Sequence, residues 1–192
     1  VSRELATNPV ALESAVTDEL ASTAGAWAGG PTAVEGFLRS VVADLNRLPA
    51  LMVEHAEFRH YGSGYASYVD VFMTKRDGSM RRSANGRTDV EGLTLALCRL
   101  APLAVLLKRS WRSSGPGATG GHSMPELLRV LDIDLPEWEE ECRQVGQVLD
   151  GHGIALLGVQ MLGLPLDARL RVETALGDPP YCVFDAWFHW MD

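Results

Sequence analysis

Hydrophobic positions along this chain follow two patterns, one with helical spacing and one with alternation. Over 31–48, Val34, Phe37, Leu38, Val41, Val42, Leu45 and Leu48 recur at intervals of three and four, which sets them along one side of a helix. Residues 9–27 begin at a proline, are rich in helix formers and predict an earlier helix, broken by "AGGP". The stretch 135–153 predicts another, stopped by glycine, and Ser123 with Glu126 has the capping-box spacing that starts one more. Thr88 and Glu91 share that spacing ahead of Pro102, so 88–102 is expected to be a short buried helix.

Alternation and β-branched or aromatic runs predict the strands. Residues 65–83 contain such a run followed by Asp77-Gly78, a dipeptide suited to a two-residue hairpin turn. "LAVLLKRSW" (103–111) reads as a central strand and "IALL" (154–157) as a short one. "ARLRVETAL" alternates apolar Leu170 and Val172 with Arg169 and Arg171, as a half-buried strand would. Pro179-Pro180 and the aromatic density of "YCVFDAWFHWMD" (181–192) predict a last strand. The sum is an α+β fold: N-terminal helices first, then a mainly antiparallel sheet with helices packed on one face. One globular domain over 1–192 is expected, with 1–8 disordered and 113–122 a mobile Gly-rich loop.

Composition narrows this little further. Apolar residues make up 46% and charged ones 22%, which excludes a disordered or collagen-like chain. The longest apolar run, 93–107, is interrupted by Arg99 and Pro102, so no membrane span is expected, and no leader pattern is visible at the start. Cys98, Cys142 and Cys182 are isolated, which points to reduced thiols, a cytoplasmic setting and no metal framework. "GPGATG" (115–120) matches a phosphate-cradling fingerprint literally, but Pro116 removes a donor and the helix signal waits until Ser123. No cofactor is therefore expected.

Charge changes the picture more. The net charge of −8 divides into −5 over 1–74 (4 basic, 9 acidic), +6 over 75–112 (9 basic, 3 acidic) and −9 over 113–192 (4 basic, 13 acidic). Two surfaces follow: a basic one bearing Arg76, Arg81 and Arg82, and an acidic one in which Glu139, Glu140 and Glu141 flank Trp138 as an aromatic anchor. Their expected use is non-enzymatic, in a protein-binding or accessory domain of immunity-like or regulatory type whose partner is a protein of opposite surface charge. Nucleic acid is disfavoured because no aromatics interleave with the bases. Self-association stays compatible with this pattern.

The alternative is a small enzyme or ligand-binding domain with its pocket at the C-terminal aromatic strand. Asp185 and His189 are its candidate catalytic groups, Trp187 a binding residue, and His60, Tyr61 or Tyr68 would join from neighbouring strands. On a strand, Asp185 and His189 share a face but lie about 13 Å apart. They are expected to be two separate residues with separate partners, with Arg169 or Arg171 serving Asp185.

Overall fold

Apolar side chains on both sides of the same strands decide the architecture. The computed structural model describes residues 2–62, 64–115, 125–130 and 136–191. In chain order the elements are α1 (Ser2–Leu5), α2 (Pro9–Val16), α3 (Pro31–Leu45), β1 (Leu51–Glu57), β2 (Tyr65–Ala66), β3 (Tyr68–Lys75), β4 (Arg81–Ala84), β5 (Arg87–Cys98), β6 (Leu103–Ser114), α4 (Glu139–Gly151), β7 (Ala155–Leu156), α5 (Val159–Leu162), α6 (Val183–Trp187) and β8 (Trp190–Met191). The fold is α+β. Its main sheet runs β1-β3-β5-β6-β7, antiparallel except for the β6–β7 pair, with β4 attached to β5; β2 and β8 form a separate antiparallel pair.

Along β3 and β5, Val69, Val71, Met73, Leu93, Leu95 and Leu97 point into one core, which α3, α4 and Trp138 close. Tyr68, Ala96 and Cys98 point into the other, closed by α2, α6 and Phe188. Helices therefore lie on both faces of the sheet, where one helical face was expected. The reason is that neither side of these strands is polar enough to meet water, so each needs a cover. The segment expected to be a disordered tail holds α1, and Ala6 after it is fully buried.

Three expected elements change. Residues 88–98 are strand, not helix: Leu93, Leu95 and Leu97 alternate with Thr94, Ala96 and Cys98 between the two cores, and that period outweighs the local Thr88–Glu91 capping signal. The tight hairpin lies at Asn85-Gly86, both with positive φ (52° and 75°), and joins β4 to β5. Asp77-Gly78 instead turns the chain between β3 and β4, which pair in succession with β5 rather than with each other. Residues 170–174 form no strand. The proposed helix start at Ser123 and positions 116–122 of the Gly-rich loop lie outside the described residues, and β6 continues through Ser114.

Gly92 marks a register shift between β5 and β6 and packs closely on β3. A Cβ there would sit 2.1 Å from the Met73 carbonyl oxygen. Gly92→Ala is expected to lower stability by about 2 kcal/mol through this backbone clash, measured by urea denaturation.

Candidate functional site

The C-terminal stretch holds the helix α6 over Val183–Trp187 and strand only at Trp190–Met191, which corrects the single strand expected from its aromatics. Val183 and Trp187, and Phe184 and Phe188, are spaced by four, and Asp185 accepts from the Cys182 N–H (2.7 Å) and Sγ (3.1 Å) at the start of α6. Asp185 is thus a capping carboxylate. Arg169, a suggested partner for it, bonds Asp167 instead (2.6 Å).

His189 lies beyond the helix end and is 2% exposed. Its Nδ1 faces the Ala186 carbonyl (3.1 Å) and its Nε2 faces Asp18 Oδ1 (2.7 Å), so Asp185 and His189 form no dyad. Trp187 is fully buried and donates from Nε1 to the Ala6 carbonyl (3.0 Å).

The charged surfaces are matched in part within the molecule. Lys75 reaches from the basic segment to Glu141 (3.1 Å) and lies over the ring of Trp138, which is completely buried. Glu140 is held by Arg143 and Gln144, which leaves Glu139 exposed on the first turn of α4. Arg76 donates to the Asn46 and Leu48 carbonyls after α3, Arg81 pairs with Glu54, and Arg82 is exposed on β4. The acidic helix and basic segment are therefore partly one internal electrostatic contact across the fold.

A different set of residues surrounds a cavity of about 550 Å³ between the N-terminal half of α3, His60, Tyr65 and Arg99. Leu20, Val34 and Leu100 supply apolar wall, and Asp18, Glu35, Arg39, His60, Tyr65 and Arg99 the polar groups. Backbone strain gathers here: Asp18, His60 and Tyr61 are non-glycine residues with φ of 59°, 52° and 60°. Asp18 ends α2 at the left-handed position where glycine is usual, with the Glu19 N–H reaching back to Ser14 O. The His189 contact holds its carboxylate there.

His60 and Tyr61, adjacent and both left-handed, divide between two environments. His60 accepts the Ala66 N–H at Nδ1 (2.9 Å), which puts its proton on Nε2, and stacks on Tyr65 with 5.3 Å between ring centres. Burial, aided by the Arg99 charge, holds it below the usual histidine range, so it is neutral at pH 7. Tyr61 turns the other way and its hydroxyl meets Asp70 Oδ2 (3.1 Å). Burial raises the Asp70 carboxyl to about 6.

Arg99 anchors the cavity floor. It is 9% exposed, and its Nε and Nη2 donate to the carbonyls of Tyr68 (3.2 Å) and Phe58 (3.0 Å). Glu35 is held by Arg39 (2.6 Å), and that hydrogen bond keeps its carboxyl below the usual range. Burial, with Asp18 nearby, raises the Tyr65 phenol, which stays protonated.

Of these groups, His60 was legible as a candidate partner; Asp18, Tyr65, Glu35, Arg39 and Arg99 were not. The one signal in the sequence is Arg99 itself, a lone cation in an apolar run. No family model matches the chain, and no curated protein or solved structure is similar enough to lend it a function. The geometry of the cavity therefore carries the reading.

Proposed function

We propose that this protein binds a small molecule in the cavity between α3, His60, Tyr65 and Arg99. The observation that carries the reading is convergence. The buried Arg99, the half-buried Asp18, Glu35, His60 and Tyr65 and three apolar side chains surround one concavity of ligand size, on backbone that is locally strained. Asp18 ties the C-terminal His189 to this cavity, so the C-terminal aromatic segment supports the site from behind.

Gly36 offers a direct test. It lines the cavity from α3, and a Cβ there meets nothing within 4 Å. Gly36→Leu places a side chain at the cavity and replaces a helical glycine, so binding is expected to fall at least about tenfold while stability rises by roughly 0.5–1 kcal/mol. Ligand-observed NMR with a small-molecule library, followed by titration of the hits against both proteins, reads the first effect. Hits that bind the variant as tightly as the native chain would place the binding elsewhere.

A further inference from the structure

Resting on that reading, we infer that the ligand is a small organic acid whose single carboxylate sits on Arg99 and the first turn of α3. The pairing of the charges along the wall points there. Arg39 pairs with Glu35, and Asp18 hydrogen-bonds His189 on the far side. Arg99 has no carboxylate within ion-pair distance among the described residues, and Glu35, the carboxylate whose charge it feels most, is already held by Arg39. Its two hydrogen-bonded nitrogens meet only neutral carbonyls, and Nη1 has no protein acceptor among the described residues. Arg99, 9% exposed as a residue, therefore presents to the cavity one guanidinium nitrogen with no protein acceptor among the described residues and no opposite charge within ion-pair distance, an arrangement that an anion would complete.

Helix α3 adds donors to the same wall. It is 15 residues long, its N-cap is Gly30 with no capping side chain, and its first residue is Pro31. Val34 is the first residue whose N–H finds a carbonyl behind it, at Gly30 O (3.1 Å), so the N–H groups of Thr32 and Ala33 are unspent. Pro31 and Thr32 both line the cavity. These donors, the positive end of the helix and Arg99 suit an anion together, where the helix end alone would not. Neutral His60, protonated at Nε2, and the Tyr65 hydroxyl add two uncharged donors.

The size of the charge selects a carboxylate over a phosphate. Of the two cations and two carboxylates on this wall only Arg39 and Glu35 pair with each other, so Arg99 offers a contact to one negative charge, while Asp18 and Glu35 would repel a dianion more strongly than a monoanion. Leu20, Val34 and Leu100 then receive an apolar body.

The test varies the ligand before the protein. Calorimetric titration compares small carboxylic acids with an apolar body, such as benzoate and hexanoate, with their primary amides and with inorganic phosphate. An acid is expected to bind at least about tenfold more tightly than its amide and than phosphate. Arg99→Met should weaken the acid about thirtyfold and the amide little, and Gly36→Leu should weaken both. Because Arg99→Met removes two hydrogen bonds to the fold, the acid–amide difference in the native protein is the deciding reading if that variant does not fold. Equal binding of acid and amide, lost in Gly36→Leu, would overturn the carboxylate assignment and leave the cavity reading standing. Tighter binding of phosphate would overturn it in favour of a phosphorylated ligand. Acid binding unchanged in Gly36→Leu would overturn both.

Discussion

Trp187→Ala is expected to destabilise the protein by about 4 kcal/mol, the upper part of the range for deleting a large core side chain. The indole is wholly buried between the sheet, α2 and its own helix, among the largest side chains in this core. It also does more than fill space. Its Nε1 donates to the Ala6 carbonyl (3.0 Å), and its carbonyl oxygen lies 2.9 Å from Ser67 Oγ. Alanine would leave a cavity and remove the partner of the Ala6 oxygen. Trp187→Phe keeps most of the volume and loses the donor, so about 1–2 kcal/mol is expected. Urea denaturation of the three proteins measures both steps; a loss below about 2 kcal/mol in the alanine variant would contradict the packing of α6 against the sheet.

Asp70→Asn is expected to do the opposite, and only above mildly acidic pH. Asp70 is 5% exposed, and burial lifts its carboxyl to about 6, against an ordinary 3.8, more than the Tyr61 hydroxyl and the Arg112 charge lower it; Glu57, opposite on β1, pushes it further up. The folded state therefore holds this proton more tightly than the unfolded chain. Between about pH 4 and 6 the native state binds more protons, so its stability falls as pH rises through that window and stays reduced above it. Two pKa units correspond to about 3 kcal/mol. Asparagine has nearly the same shape and no charge, so it should raise stability by about 2–3 kcal/mol at pH 7.5 and change it little at pH 4. Denaturation of both proteins at the two pH values decides this. An equal difference at both would mean that Asp70 is not the titrating group.

Where the local pattern agreed with the final packing, the sequence was readable. Helix α3 was visible from its stripe, and Val34, Leu38, Val41 and Leu45 are the buried members of it. The acidic helix, now α4, and the short strand β7 were also legible. Where two local signals compete, tertiary pairing decides between them. Thr88 and Glu91 imitate a helix start, yet they belong to a strand paired along both edges, with β6 on one side and β4 then β3 on the other, and these ladders replace the hydrogen bonds that a helix would have made within itself. Asn85-Gly86, eight residues after Asp77-Gly78, is the dipeptide that forms the tight hairpin. At the C-terminus, β-propensity of the aromatics masked a spacing of four and an Asp placed to cap.

The linear pattern settles the class of the fold, the location of α3 and α4 and the amphipathic or two-sided character of the strands, because burial of apolar area is written in periodicity that each segment carries locally. The cavity is of another kind. Asp18 and His189 meet across 171 residues, and Trp27 donates to the Arg99 carbonyl across 72. Arg99 is useful because Tyr68 and Phe58 hold it in place from other strands and loops. No local pattern encodes which distant carboxylate faces which cation, since that depends on how sheet and helices close on one another, and so the charges that looked like outer surfaces along the chain became, in part, contacts within the molecule.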